Sequence, residues 1–161
     1  MPAQLLIIKK SGKTAMRECY GRDMKDTAQY LQPVCVKRLK LKNGTELEIL
    51  DASRPLAGDR WQVAAVFRVT IPITSEMLSG SKTPADVAEI RRLLGERLVF
   101  EKRLERTFID KSAREETFEQ MVDSYLEGAL GYISKPAFAR NYVLKQYAEA
   151  VRKSTWYRNQ P

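Results

Sequence analysis

Residues 61–74 alternate in character. Trp61, Val63, Ala65, Phe67, Val69, Ile71 and Ile73 hold the odd positions. Gln62, Ala64, Val66, Arg68, Thr70, Pro72 and Thr74 hold the even ones, which are mostly polar or small. Strand side chains point alternately to opposite faces, so the pattern predicts a long strand with one buried and one mixed face. At ~3.3 Å per residue it would span roughly 45 Å, beyond ordinary strand length, which predicts a bend or bulge. Pro72 falls near its end, where a missing amide donor is tolerated.

Upstream, residues 34–50 predict a β-hairpin whose register can be argued. Leu39 and Leu41 share one face, and Arg38, Lys40 and Lys42 the other; on the return strand Leu47 and Ile49 alternate with Glu46 and Glu48. Residues directly opposite one another lie on the same face. A two-residue Asn43-Gly44 turn would set Leu41 against Glu46 and Leu39 against Glu48, mixing the faces. A three-residue Lys42-Asn43-Gly44 loop sets Leu39 against Leu47, Lys40 against Glu46 and Arg38 against Glu48, with Gly44 in the left-handed position of the loop. Nearer the start, residues 5–8 read as a strand, 9–13 as a turn and 14–20 as a second strand. Met24, Ala28 and Leu31 suggest a short helix within 21–32, opened by Asp23 and ended by Pro33.

Beyond a polar connection at 75–82 the period becomes helical. Thr83 as cap, Pro84 in the first turn and Asp86 at the positive end predict a first helix over 83–107 with the apolar stripe Val87, Ile90, Leu93, Leu94, Leu98, Phe100, Leu104 and Phe108. Ser112 to Glu115 has the form of a capping box opening a second helix, striped by Phe118, Met121, Val122, Tyr125, Leu126, Ala129 and Ile133. Ser134 or Lys135, followed by Pro136, opens a third helix running to about residue 153. The short connection between the last two predicts an antiparallel helical pair. Strands first and helices afterwards is an α+β order: a mostly antiparallel N-terminal β-sheet of about four to five strands, followed by three C-terminal helices packed on it. One domain over 1–161 is expected, with 1–75 mainly β-sheet, 83–153 the three helices and 154–161 a frayed tail.

Composition narrows the chemistry. Histidine is absent, which removes Ser-His and Cys-His catalysis and the commonest metal ligand. Cys19 and Cys35 form no CxxC pair and are too few for a zinc site, so no metal and no cofactor are expected; two reduced, buried thiols are the first reading and a single disulfide between them the second. The apolar run at 5–8 is too short for a signal-peptide core, and no run approaches the roughly 20 apolar residues that cross a bilayer. A soluble, cytoplasmic chain without membrane contact is expected. The chain carries 28 Lys and Arg against 20 Asp and Glu, net +8. That balance favours anionic partners, although a plain solvated surface carries such charge too.

Three stretches could use that charge. Residues 51–60 read as a loop, rich in charge and turn formers, in which Ser53, Arg54 and Arg60 are candidate ligands for a phosphate or carboxylate. The same residues can satisfy one another, with Asp51 and Ser53 on backbone amides and an arginine on Asp59. Asp51, Ser53 and Gly58 resemble, over a few residues only, the Asp-x-Ser-x-x-Gly motif of cyclic-dinucleotide-binding PilZ domains. The glycine lies too far along, and Arg17 and Arg22 are spaced by four residues where the motif has three, so that family is not assigned. The C-terminal segment sets Lys135, Arg140, Lys145, Arg152, Lys153 and Arg158 among Phe138, Tyr142, Tyr147, Trp156 and Tyr157; cations with stacking rings are a nucleic-acid signature, with Trp156 the candidate stacking ring. Aromatics at helical spacing also serve simply as core. Last, Arg38, Lys40, Lys42 and Arg68 form a basic sheet face that Glu46 and Glu48 would neutralise.

Ser11-Gly12-Lys13-Thr14 ends like a phosphate-binding loop, but Ile7 stands where its first glycine belongs. The expectation is therefore a non-catalytic protein that binds an anionic partner, nucleic acid or a phosphate-bearing ligand. The alternative is a protein–protein adaptor or homo-oligomeric assembly subunit using the first helix or the sheet edge, and an enzyme without histidine comes third.

Overall fold

The computed structural model describes residues 32–79 and 86–158. The strands expected at 5–8 and 14–20, the helix expected from residue 21, Cys19 and the Thr83-Pro84 helix start lie outside the described residues. The elements run β1 (Val34–Lys40), β2 (Glu46–Asp51), β3 (Arg54–Ala57), β4 (Arg60–Pro72), α1 (Ser75–Leu78), α2 (Val87–Leu94), β5 (Arg97–Asp110), a 3-10 turn (Lys111–Ala113), α3 (Arg114–Ile133) and α4 (Pro136–Arg158). The sheet is antiparallel throughout and the class is α+β.

The first hairpin has the register that its faces demand. Arg38 opposes Glu48, Leu39 opposes Leu47 and Lys40 opposes Glu46. Gly44 closes the loop at φ +83°, and the Leu41 amide donates to the Thr45 carbonyl at 2.8 Å.

Residues 51–60 are not a loop. Asp51 opposes Ala65, the Ala52 amide donates to the Ala64 carbonyl at 2.9 Å, and Arg54 and Pro55 oppose Gln62 and Trp61. β2 and β3 are thus one line of pairing along β4, and the true turn is short, with Gly58 at φ +58°. Asp51 and Ser53 fall on the buried parity of this line, with Leu47 and Ile49. Two polar residues there hid the strand pattern.

The expected first helix is also corrected. α2 begins at Val87, capped by Asp86, whose carboxylate accepts from the Ala88 amide, and it stops at Gly95 with φ +86°. The chain then extends as β5 and pairs with β4 along its length. Leu98, Phe100 and Leu104 satisfy a period of two as well as a helical stripe, and the free side of β4 supplies a ladder that a helix could not use. A one-residue register slip lies between the Trp61 and Val63 pairings. There Phe108 takes φ +59°, and the apolar parity of β5 shifts from Leu104 to Ile109. The long β4 thus meets its irregularity in its partner strand.

The odd face of β4, from Trp61 to Ile73, is buried against α3 and α4. Phe118, Met121 and Val122 seat α3 on it, and Tyr125 stacks on Phe67 with ring centroids 3.9 Å apart. Phe138, Ala139 and Val143 seat α4, with Phe100 edge-on to Phe138 at 5.3 Å. Two further expectations fail. Ser112 forms no capping box: Ala113 holds the cap position without a side-chain bond, because a 3-10 turn winds directly into α3. α4 makes its main helix contact with α2 and touches α3 and α1 over fewer residues. The Tyr147 hydroxyl meets Glu89 across the α2–α4 contact, and desolvation, then that carboxylate, raises its pKa. The tail does not fray at 154, since α4 continues to Arg158, with Ser154 and Thr155 hydroxyls bonding the Val151 carbonyl.

Asn43 fastens the two layers. Its Nδ2 donates to the carbonyls of Ile133 at 2.9 Å and Lys135 at 3.2 Å, while its Oδ1 accepts from the Thr45 amide and hydroxyl. The hairpin tip therefore caps the C-terminus of α3, where carbonyls lack helical partners. Asn43→Asp keeps the local acceptor but loses the donor, and is expected to lower unfolding free energy by about 1–3 kcal/mol in urea titration. An unchanged midpoint would show that the hairpin is not held there.

Candidate functional site

The candidate ligands of residues 51–60 do not converge. Ser53 is buried, and its Oγ accepts from the Ala64 amide at 3.0 Å. Arg54 sits on the opposite parity and donates from Nε to Gln62 Oε1 at 2.6 Å. Arg60 pairs with Asp110, and more loosely with Asp59 at 3.7 Å.

A buried charge cluster lies beside Ser53 instead. Asp51 Oδ1 accepts from the Ser53 amide at 2.8 Å, and its Oδ2 accepts from Arg114 Nη2 at 3.0 Å. The Arg114 guanidinium lies over the Trp61 ring, 4.3 Å from its centroid. Arg114 is the first residue of α3, so this ion pair and cation–π contact set where α3 meets the sheet. Sequence reasoning missed Arg114. Its only signal was a polar Asp51 at an apolar position of β2, which requires a buried partner.

Across the helix-free face of the sheet the charges answer one another. Arg38 bonds Glu48 at 3.0 Å and Arg68 bonds Glu101 at 3.0 Å, in a row that crosses β1, β2, β4 and β5. Beside it, Gln62 donates to Glu105, which also accepts from Arg103. On the basic sheet face Arg38 and Arg68 are therefore neutralised by their strand neighbours, whereas Lys40 and Lys42 enter no ion pair among the described residues.

α4 differs. Among the described residues, Arg140, Lys145, Arg152 and Lys153 enter no ion pair. Lys145, Arg152 and Trp156 lie seven and four residues apart, which places them within about 20° of one line along the helix. Lys153 flanks that line, whereas Arg140 lies about 140° around from Lys145. Lys145, Arg152 and Lys153 are exposed, and Trp156 is 59% exposed. Arg158 is the last residue of the helix. Arg140 and Lys135 instead line an open groove of about 870 Å³ between the hairpin tip, the end of β4, α1 and the α3–α4 corner.

No three or more Cys, Asp or Glu side chains are grouped to hold a metal among the described residues, and no described helix is long and apolar enough to cross a membrane. Comparison with protein-family models, curated proteins and solved structures finds nothing that matches this chain.

Arg114→Met keeps the aliphatic stem over Trp61 but leaves Asp51 without its guanidinium. It is expected to cost about 2–4 kcal/mol of stability. Adding Asp51→Asn should recover part of the loss, so that the two changes are non-additive in a double-mutant cycle of thermal or urea melts. Strict additivity would refute the pairing.

Proposed function

We propose that the chain is a non-catalytic binding protein that takes up nucleic acid along α4. The observation that supports this reading is the contrast in charge pairing. Arg38, Arg60, Arg68 and Arg103 of the sheet are answered by carboxylates, whereas Arg140, Lys145, Arg152 and Lys153 of α4 have no ion-pair partner among the described residues. Cations already neutralised offer little to a phosphate, since their Coulomb energy is spent within the chain. Exposed, unanswered cations in one line can release counterions from a polyanion. Trp156, at the end of that line, adds an exposed aromatic residue of the kind that stacks on bases. Lys145, Arg152, Lys153 and Trp156 form the contact surface, and Arg140 lies on a separate side of the helix.

A small phosphate-bearing ligand at Ser53, Arg54 and Arg60 ranks below this, because each of those side chains already bonds within the fold. Catalysis ranks last, with no histidine in the chain.

Fluorescence anisotropy with a labelled single-stranded oligonucleotide tests the reading. With three to four phosphates contacted, log affinity should fall against log salt with a slope of about −2 to −3. Lys145→Ala/Arg152→Ala/Lys153→Ala should abolish most of the binding, Trp156→Ala should weaken it by about 1–3 kcal/mol, and Arg54→Ala/Arg60→Ala should leave it unchanged. No binding at low salt, or binding that survives the triple variant, would overturn it.

A further inference from the structure

β5 forms one side of the sheet, and among the described residues no strand pairs with its outer edge. Two bonds reveal which residues present their backbone there. The Glu96 carbonyl points inward, accepting from the Ile73 amide at 3.0 Å. The Val99 carbonyl points away from β4 and accepts from the Tyr142 hydroxyl at 3.3 Å. Backbone direction alternates along an antiparallel strand, so Arg97, Val99 and Glu101 offer their N–H and C=O groups outward.

The side chains around Val99 form a chemical palindrome. Reading outward from it in both directions, Leu98 mirrors Phe100, Arg97 mirrors Glu101, and Glu96 mirrors Lys102. Val99 itself is 46% exposed, an apolar residue at the centre of a charged edge. Neither Arg97 nor Lys102 has an ion-pair partner among the described residues, while Glu101 bonds Arg68 through Oε2 alone and Glu96 meets Arg91 loosely at 3.6 Å.

We propose that β5 is a self-pairing edge, on which a second copy of this chain docks antiparallel about a two-fold axis through Val99. In that register Val99 meets its own copy, Leu98 meets the second copy's Phe100, Arg97 meets its Glu101, and Glu96 meets its Lys102. Every opposed pair is apolar with apolar or cation with anion. Three hydrogen-bonded residue pairs add about six main-chain bonds. The ladder ends at Gly95, where α2 leaves the sheet. Neighbouring registers are poorer. Centring on Phe100 opposes Arg97 to Arg103, centring on Glu101 opposes Glu101 to itself, and centring on Lys102 opposes two Lys102 side chains and sets Leu98 against Arg106. Like charges directly opposite one another destabilise a ladder. The Tyr142 bond does not close the edge, because a carbonyl oxygen carries two acceptor lone pairs.

Light scattering coupled to size exclusion, at several concentrations, tests the pairing, and charge reversal identifies the register. Arg97→Glu opposes two glutamates twice across the axis, and Glu101→Arg opposes two arginines twice. Each variant alone should raise the dimer dissociation constant by about 10- to 100-fold. An equimolar mixture should restore dimer, because each copy then presents the charge that the other lacks. Both substitutions are on exposed positions, and the gain of dimer on mixing cannot come from misfolding. A wild-type chain that stays monomeric at high concentration would overturn the proposal. So would single variants that dimerise like wild type, or a mixture that remains monomeric while the wild type dimerises.

Discussion

The β4 ladder is the constraint from which the other elements take their positions. β4 is hydrogen-bonded along both edges, to the continuous β2–β3 line on one side and to β5 on the other. With both edges paired, its backbone polar groups are satisfied without water, and its odd side chains can be fully desolvated. That lets Trp61, Phe67 and Ile71 form the floor on which α3 and α4 sit. The polar face of the same strand carries Gln62 and Arg68, which join the cross-strand charge rows. Pairing, burial and surface neutralisation thus meet on one strand. Loss of ladder bonds in its centre would expose the core and unpair the surface together.

Elements that announce themselves by alternation were legible in the sequence. The β4 face and the register of the first hairpin follow from one rule, that opposed residues share a face. The stripe of Phe118, Met121 and Val122 on α3 was legible for the helical equivalent of that reason. β5 was not, because Leu98, Phe100 and Leu104 fit both periods. The deciding facts were the stop at Gly95 and the unpaired side of β4, and only the second is tertiary. The β2–β3 line was hidden because Asp51 and Ser53 take core positions as polar residues. They do so for partners far along the chain, Arg114 and the Ala64 amide, which no local window contains. Asn43 was legible as a turn residue but not as a cap for a helix ninety residues away.

The candidate sites divide along the same line. The residue types of the 51–60 segment suggested an anion site, but residue type does not reveal whether a guanidinium is already occupied. Pairing decides that, and pairing is a property of the folded sheet. Along α4 the cations were equally visible in sequence. Their exposure and spacing became informative only when the helix was seen to run through Arg158, so that Lys145, Arg152 and Trp156 share one line. An amphipathic reading of that segment fails because its last turns have no apolar face to bury: residues 151–156 are exposed all round.

Edge physics links the two proposals. An exposed strand edge invites indiscriminate pairing, and proteins blunt it with charge. On one face of β5 Arg97, Glu101, Arg103 and Glu105 alternate in sign, so an arbitrary strand meets repulsion somewhere along the edge. A strand with the reversed order of signs meets none, and the chain's own β5 has that order about Val99. The same residues therefore act as a barrier to most partners and as a match to one. An antiparallel pair of edges is related by a two-fold axis perpendicular to the sheet, which keeps equivalent faces on the same side. Both copies of α3 and α4 then lie on one face of a continuous sheet. Two α4 lines on one face would bind a polyanion long enough to reach both more tightly than either line alone, without any new contact, since the second engagement is intramolecular. Self-pairing at β5 would thus multiply a salt-sensitive contact along a helix that few cations line.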